Sequence, residues 1–279
     1  MTTPEKATFL MCPPTYYDVL YVINPWMEGH IHQTQKKIVE AQWHQLVQTL
    51  SKYAHVELLE PNALVPDLVF TANGASVQGR TCLLSHFRHI ERQREEPLYH
   101  AWFYEHGYHV HTLPDDLFFE GSGDALFSQD EPHVWFGYGL RSDLKAVPYL
   151  ESLFQANVTS LHLIDPRFHH LDTCLCPLNA GDVMYYPKAF DETSIASIEA
   201  RIPSEKRIMV SDADALLFAC NAIFIPDNTG TTHGIIIVND LSSVLRQQLE
   251  KRGYRIETER VTQFMKSGGA TRNLTLTLF

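Results

Sequence analysis

The sequence predicts an α/β fold in which five similar units surround a pseudo-five-fold axis. Short β-like runs alternate with amphipathic helical stretches along the 279 residues, a pattern typical of α/β domains. Polar residues also recur at an interval of about 50 residues, which lies in the range of propellers and similar arrays. Because no Pro- or Ser-rich linker divides the chain, we expect residues 1–279 to form a single domain.

Hydrophobic spacing predicts the individual elements. Strand-like runs are short and rich in β-branched and aromatic residues, whereas apolar residues three and four positions apart predict helices. The predicted strands are 7–12, 55–60, 109–114, 158–164 and 255–261. The predicted helices are 39–53, 97–108, 191–202 and 241–254. The similar strings EHGYHVHTL and KRGYRIETE mark the passage from a helix to a strand at a glycine.

Six polar residues define the repeat, and their separations are 49, 51, 48, 49 and 52 residues. Each lies beside an apolar run, so equivalent strand edges that face the axis would bring these side chains into one central binding site. Ring closure would place the first and last segments in one unit and make the first and last of these residues neighbours. The six residues are Asn24, Asn73, Asp124, Asp172, Asn221 and Asn273.

Composition narrows the classes of partner. A net charge of −11 argues against nucleic acid and favours a cationic or neutral small-molecule substrate. No apolar run reaches the roughly 18 residues of a membrane-spanning helix, and MTTPEKATFL lacks the features of a signal peptide. We therefore expect a cytoplasmic protein without a membrane partner. A homo-oligomer is compatible with this composition, which does not determine the oligomeric state.

The cysteines predict neither a disulfide framework nor a zinc site, because their number is odd and no Cys-x-x-Cys pair occurs. Buried free thiols in a reducing compartment are the expectation. The fifteen histidines are scattered, without an HExxH spacing that indicates a metal. The cysteines are Cys12, Cys82, Cys174, Cys176 and Cys220.

Two short motifs contain side chains suited to acid/base catalysis or to binding a cation. On a strand, His170 and Asp172 would share one face and suit general acid/base work, although a core histidine satisfied by a neighbour is the alternative. Glu120 and Asp124 flank Gly-Ser-Gly, and two confined carboxylates repel unless a cation joins them. A planar guanidinium matches such carboxylates. An acidic surface loop is the alternative for this pair.

Other polar residues are weaker candidates. Asn73 follows the apolar run 68–72, which is interpreted as a strand, and is either a ligand of a guanidine nitrogen or a turn residue before Gly74. Asn24 precedes a proline and is typical of a turn. For a ligand carboxylate, Arg141 after FGYGL is a better candidate than Arg92, which lies in the charged string ERQREE.

Longer strings resemble a known family over essentially the whole chain. They are MCPP, YVINPWMEG, LVFTAN, HFRHIERQREEP, FEGSGDALF, GYGLRSDL, DPRFHHLDTCLCPL and SGGATRNLTL. Together they resemble the superfamily of arginine deiminases, dimethylarginine dimethylaminohydrolases and amidinotransferases, and most of all the bacterial arginine dihydrolases, which convert L-arginine to ornithine, ammonia and CO2. The resemblance implies a five-bladed α/β propeller (pentein) of ββαβ units and a reaction without a metal or an organic cofactor.

The resemblance also implies roles for single residues. His170 matches the general acid/base histidine of the family, and Glu120 and Asp172 match the carboxylates that hold the guanidinium. Asn73 stands where arginine deiminases carry an aspartate, and an amide there is typical of the dihydrolases. The matches to substrate-contacting positions are Asn24, Arg92 and Arg141.

One position departs from the family pattern. The family places its nucleophilic cysteine after two glycines near the end of the domain, and that position here is Asn273. An amide cannot act as a thiolate, so we expect the covalent step to be disabled. The asparagine is either an introduced change of a catalytic cysteine or the natural residue. Three functions stay open: an arginine dihydrolase, an amidinotransferase or dimethylarginine hydrolase, and a catalytically silent arginine-binding protein.

Overall fold

The computed structural model describes residues 6–227 and 230–278. Part of the N-terminal string considered above, Met1–Glu5, therefore lies outside the described residues, as do two residues of the polar loop 226–234. Short strands form five three-stranded sheets. The strands are β1 Thr8–Met11, β2 His55–Leu58, β3 Ala75–Gln78, β4 Thr81–Leu84, β5 His109–His111, β6 Ala125–Phe127, β7 His133–Tyr138, β8 Asn157–His162, β9 Leu175–Pro177, β10 Val183–Tyr185, β11 Arg207–Met209, β12 Ile223–Ile225, β13 Gly234–Val238, β14 Tyr254–Thr258 and β15 Leu276–Leu278.

The longer helices connect strands within one sheet, and two of the short ones lie between successive sheets. They are α1 Lys36–Ser51, α2 Ile90–Gln93, α3 Glu96–Glu105, α4 Gly121–Asp124, α5 Val147–Phe154, α6 Glu192–Arg201, α7 Asp212–Leu216 and α8 Ser243–Lys251. All five predicted strands and all four predicted helices are confirmed, with ends shifted by no more than three residues. Helices α2, α4, α5 and α7 were not predicted.

Each sheet repeats one plan. The middle strand pairs antiparallel with one neighbour and parallel with the other, as in the order β6-β7-β8. A parallel neighbour requires a crossover connection, and α5 supplies it between β7 and β8. The plan is therefore ββαβ, repeated five times, and the predicted five-bladed α/β propeller is confirmed.

The closing sheet contains both ends of the described chain. Strand β1 pairs antiparallel with β15, with Thr8 opposite Leu278, and parallel with β2. The expectation that the first and last segments share one unit is thus confirmed. Helix α1 covers this sheet and buries Trp43 and Leu46 against it.

A short polar turn precedes the first strand of every sheet. These turns contain Asn73, Asp124, Asp172, Asn221 and Asn273, each followed within three residues by a strand. Asn24 is not part of this repeat, because it lies between β1 and α1 and caps the 3-10 turn Pro25–Met27. The closing sheet begins with β15, so its equivalent residue is Asn273.

Two local expectations were wrong. The apolar run 68–72 is not a strand but parts of two 3-10 turns, Pro66–Val69 and Thr71–Gly74. His170 likewise caps the 3-10 turn Leu171–Thr173, so it does not share a strand face with Asp172. Both segments are buried, and hydrogen bonds between residues three apart satisfy their backbone groups. An apolar sequence pattern alone does not distinguish such a buried 3-10 turn from a buried strand.

The hydrophobic core lies between the sheets and their helices. The five cysteines are part of it, and all are free and buried, as predicted. Within residues 6–227 and 230–278, no helix combines the length and the hydropathy needed to cross a lipid bilayer.

Ring closure can be tested at Leu276, which is fully buried in β15. We expect Leu276→Ala to lower the free energy of unfolding by about 2–5 kcal/mol, since it removes packing at the seam of the closing sheet. Val244→Ala, at a position 74% exposed, is the matched control and should change it by less than about 0.5 kcal/mol. Urea denaturation monitored by circular dichroism measures both. Equal stabilities would contradict a seam at β15.

Candidate active site

A small cavity lies where the polar turns converge. Its volume of 20 Å³ has room for about one water molecule, so a larger ligand requires side chains to move. Six residues selected from the sequence line it: Asn24, Asn73, Arg92, Arg141, His170 and Asn273. The sequence therefore identified most of its polar wall.

Glu120 lies behind this wall and connects three parts of the chain. Its Oε2 accepts hydrogen bonds from His170 Nε2 at 2.6 Å and Arg141 Nη1 at 3.0 Å, and its Oε1 accepts one from the Arg88 amide at 3.2 Å. Burial alone would raise the pKa of Glu120, but Arg141 and His170 together hold it well below its usual range. The carboxylate is therefore charged.

His170 is fixed in one tautomer by Glu120. A carboxylate only accepts hydrogen bonds, so Nε2 carries the proton, and Nδ1 has no hydrogen-bond partner among the described residues. Burial lowers the pKa of His170 to about 4, which outweighs the opposing effect of Glu120. The neutral ring therefore offers an unprotonated nitrogen, as a general base requires.

Asp172 and Asn273 form a buried pair. Asn273 Nδ2 donates to Asp172 Oδ2 at 2.7 Å, and Asn273 Oδ1 accepts from the Ala270 amide at 3.3 Å. The second oxygen of Asp172 is buried without a hydrogen-bond partner. Burial raises the pKa of Asp172 to about 7, although Arg272 and the hydrogen bond from Asn273 act in the opposite direction. A cation beside the free oxygen would stabilise the charged form.

Arg92 orients the Asn73 amide. Arg92 Nη1 donates to Asn73 Oδ1 at 2.9 Å, while Nε and Nη2 each bind the Glu95 carboxylate at 2.8 Å. Asn73 Nδ2 is left buried without an acceptor. A Cβ atom on Gly123 would lie 2.3 Å from this nitrogen, so only glycine allows the amide to occupy its position.

Asp124 and Asn221 do not line the cavity. Asp124 accepts hydrogen bonds from Ser142 Oγ at 2.6 Å and the Leu171 amide at 3.0 Å. It therefore fixes the turn that carries His170. Asn221 accepts from the Asn273 amide at 3.3 Å and donates to the Asp172 carbonyl at 3.1 Å. In this conformation both residues position their neighbours, and a contact with substrate remains a prediction.

Asn24 and Asn273 line the same cavity, but no direct hydrogen bond between them is found in the described part of the chain. Asn24 Nδ2 donates to the Ser267 carbonyl at 3.0 Å. Next to it, Gly268 adopts φ +81°, and a Cβ there would lie 2.8 Å from the His169 ring. The paired glycines Gly268 and Gly269 thus permit a close approach between the backbone and the neighbouring side chains.

Two ionisable residues of the cavity wall were not selected from the sequence. Asp67 Oδ2 accepts from the Tyr21 hydroxyl at 2.8 Å, whereas its Oδ1 is buried and unpartnered. His169 also lines the cavity, with a buried Nδ1 that has no partner. Burial raises the pKa of Asp67 and lowers that of His169 well below its usual value. Asp67 follows a proline in a turn, so nothing in the local sequence distinguishes it from a surface turn residue.

Comparison with known proteins adds relatives that span the chain. Residues 23–279 match the family described as N,N dimethylarginine dimethylhydrolase, eukaryotic. The bifunctional arginine dihydrolase/ornithine cyclodeaminase ArgZ of Synechocystis sp. is 50% identical over 98% of this chain, which spans 38% of ArgZ. The N(G),N(G)-dimethylarginine dimethylaminohydrolase of Mycobacterium tuberculosis is 33% identical, over 98% of this chain and 86% of that protein.

Solved structures agree with the fold. A cysteine-to-serine variant of the ArgZ N-terminal domain bound to substrate has a TM-score of 0.93 and 49% identity, covering 97% of each chain. Another variant of that domain, covalently bound to a reaction intermediate, has a TM-score of 0.94 and 48% identity, covering 98% of each chain. The dimethylarginine dimethylaminohydrolase of Pseudomonas aeruginosa, with a TM-score of 0.78 and 15% identity over 98% of this chain and 99% of that one, shows the fold alone.

The buried ion pair predicts a large effect of Arg141→Met. Arg141 and Glu120 are 3% and 0% exposed, and removal of one partner leaves a buried charge uncompensated. We expect a loss of about 3–5 kcal/mol in the free energy of unfolding, measured by urea denaturation. When Glu120→Gln is added to Arg141→Met, the buried carboxylate charge is removed, and part of the lost free energy of unfolding should be restored.

Arg260→Met is the control, because Arg260 is 72% exposed in its pair with Asp240. It should change stability by less than about 1 kcal/mol. Similar losses of unfolding free energy in Arg141→Met and Arg260→Met would show that the buried Arg141–Glu120 pair contributes no more to stability than an exposed pair.

Proposed function

The chain belongs to the N,N-dimethylarginine dimethylhydrolase family within the guanidino-group-modifying superfamily, and on that basis we propose that it binds L-arginine in an arginine dihydrolase-type site whose covalent step is disabled by Asn273. The relative ArgZ is a bifunctional arginine dihydrolase. Because this chain spans 38% of ArgZ, its substrate and activity are inferred from its own residues.

The observation that carries the proposal is a concentration of unpartnered buried polar atoms at the small cavity and directly behind Asn273. Within residues 6–227 and 230–278, Asp67 Oδ1, Asn73 Nδ2 and His169 Nδ1 belong to residues that line this cavity. The fourth is Asp172 Oδ1, whose residue accepts a hydrogen bond from Asn273 and lines a second cavity. Nearly all buried polar atoms in native proteins have a partner. Two of these four belong to carboxylates, which only accept hydrogen bonds when ionised. A cationic ligand with several N–H donors satisfies these two carboxylate oxygens best.

L-Arginine matches the remaining groups at its amino-acid end. Arg141 donates to Glu120 and to the Ile23 carbonyl, which uses two of its five N–H groups. The others suit the ligand's carboxylate. The free oxygen of Asp67 suits the α-ammonium group, and the free oxygen of Asp172 suits the guanidinium.

The covalent step lacks its nucleophile. None of the five cysteines lines the small cavity, and burial raises the pKa of each of them, that of Cys176 to about 12. A thiolate is therefore absent at neutral pH. Asn273 stands at the position that the family pattern gives to the cysteine, and its amide nitrogen is committed to Asp172.

A cysteine at residue 273 would complete the reaction. His170 takes the proton of the thiol, the resulting thiolate attacks the guanidinium carbon, and His170 then gives this proton to the departing ammonia. His170 then takes a proton from the water that attacks the covalent adduct, and the thiolate leaves. A second round on the ureido group releases a second ammonia. The carbamate of ornithine that results decomposes to ornithine and CO2.

Asn73 favours the second round. Arg92 binds its Oδ1, so the Nδ2–H group is oriented to donate. A ureido oxygen accepts such a bond, whereas an aspartate at this position would offer only acceptors. The amide thereby retains the citrulline-like intermediate long enough to be attacked again.

Product analysis on matched variants tests the proposal. We expect the native chain to bind L-arginine in calorimetry without releasing ammonia, because the amide is not a nucleophile. Asn273→Cys should produce ornithine and ammonia in a 1:2 ratio without lasting citrulline. Asn273→Ser, which restores a small side chain without the thiol, is the control and should stay at least about 100-fold slower.

Three results would count against this assignment. Absence of arginine binding in every variant refutes the ligand, and rapid turnover by the native chain refutes the disabling role of Asn273. Citrulline as the only product of Asn273→Cys contradicts the role of Asn73.

The family description and the M. tuberculosis relative also favour a methylated substrate. Assays of Asn273→Cys therefore include N,N-dimethylarginine and an amine acceptor, which separates hydrolysis from amidino transfer.

Affinity for arginine is expected to rise with pH. Since burial raises the pKa of Asp172 to about 7, part of the population must lose a proton before it binds a guanidinium. This linkage predicts roughly ten-fold tighter binding at pH 8 than at pH 6, measured by calorimetry in two buffers to count the protons released. Asp172→Asn should bind more weakly and lose this dependence. The same slope in both proteins would assign the titration to another group.

A further inference from the structure

A second and larger cavity lies on the other side of the turn that carries Asn273. Its volume is 1710 Å³. Arg272 and Asp172 line it, whereas Asn273 lines the small cavity. Two consecutive residues of one turn, Arg272 and Asn273, therefore line two different cavities. Of the residues that line the second cavity, the mechanism proposed above uses only Asp172.

Arg272 has an unusual environment for an arginine. Its Nη1 donates to the Thr275 carbonyl at 3.2 Å and to Thr277 Oγ1 at 3.3 Å. Neither Nε nor Nη2 has a hydrogen-bond partner in residues 6–227 and 230–278, and no carboxylate there lies within 4.0 Å. The other incompletely exposed arginines in these ranges each have an ion pair.

Burial of the Arg272 guanidinium without a paired carboxylate is energetically unfavourable. Desolvation lowers the pKa of Arg272, although Asp172 and Cys176 act in the opposite direction. A half-buried guanidinium without a counter-charge is stabilised by an anion that forms two parallel hydrogen bonds with it. Its free Nε–H and Nη2–H groups lie on one edge of the guanidinium plane and have the geometry for such a pair.

The surrounding wall is also suited to an anion. Four lysines and arginines line this cavity against three carboxylates, in a chain whose net charge is −11. Exposed Lys6, Lys52 and Arg80 contribute to this wall, while buried Cys176, Cys220 and Ile223 lie at its inner part. Positive charge in an otherwise acidic protein concentrates anions at this opening.

We propose that the second cavity binds an oxyanion on Arg272, namely the carboxylate or phosphate group of a small organic molecule. Arg272 supplies the two-pronged contact, and Thr277 Oγ1 lies beside it. The apolar inner wall accommodates the uncharged part of the ligand. The volume exceeds that of a fitted pocket for a small ligand, about 300–1,000 Å³, so the guanidinium rather than shape determines where the anion binds.

Inorganic phosphate and benzoate are the probes, each compared with chloride at equal ionic strength. We expect both to raise the midpoint of thermal unfolding of the native chain, and Arg272→Gln to weaken their binding at least ten-fold. Arg260→Gln removes the same charge from an exposed site paired with Asp240 and should bind like the native chain. Arg272→Lys, which keeps the charge but loses the planar fork, should give an intermediate affinity and serves if the glutamine variant does not fold.

Guanidinium NMR locates the bound probe. The Nε resonance of Arg272, assigned by its absence in Arg272→Lys, should shift on addition of phosphate. Equal affinity of the native chain and Arg272→Gln would overturn the proposal, as would a shift confined to the arginines of the small cavity. A response to benzoate alone assigns the site to carboxylates, and a response to phosphate alone assigns it to phosphate groups.

Discussion

The arrangement of the small cavity depends on one buried carboxylate. Glu120 is fully buried, and a charge at that depth is tolerated only when it is paired and hydrogen-bonded. Arg141 and His170 come from different blades and meet on the same oxygen, while the Arg88 amide holds the other. The requirement to compensate this charge therefore fixes His170 and Arg141 together. A loss of the carboxylate would release both.

The repeat could be predicted because its signal is periodic and polar. Five equivalent turns carry Asn73, Asp124, Asp172, Asn221 and Asn273, and their spacing along the chain reflects one blade each. The sequence could not show that Asn24 stands outside this set, since a cap between β1 and α1 falls at the same interval by coincidence. Nor could it show which members face the cavity. That depends on neighbours such as Ser142, which engages Asp124.

Two other residues were not predicted, because their proposed roles depend on the absence of hydrogen-bond partners in the folded chain. Asp67 and Arg272 resemble ordinary turn residues in the sequence. Only the folded chain shows that, among the described residues, one oxygen of the first and two nitrogens of the second have no hydrogen-bond partner. The strand assignment around His170 was wrong for a related reason, since a buried 3-10 turn and a buried strand have similar hydrophobicity. The family resemblance supplied the roles of His170 and Glu120, which spacing alone left open.

The seam between β1 and β15 has a consequence for the order in which the protein can assemble. Synthesis proceeds from the N-terminus, and domains fold as their segments emerge from the ribosome. Strand β1 must wait for β15, whose pairing spans about 270 residues, from Thr8 to Leu278, although the other four blades are each formed by consecutive strands. The nascent chain therefore exposes an unpaired edge at β1 and an open cavity until β15 is made. Pairing over such a distance is slow, so chaperones have the longest access to this blade.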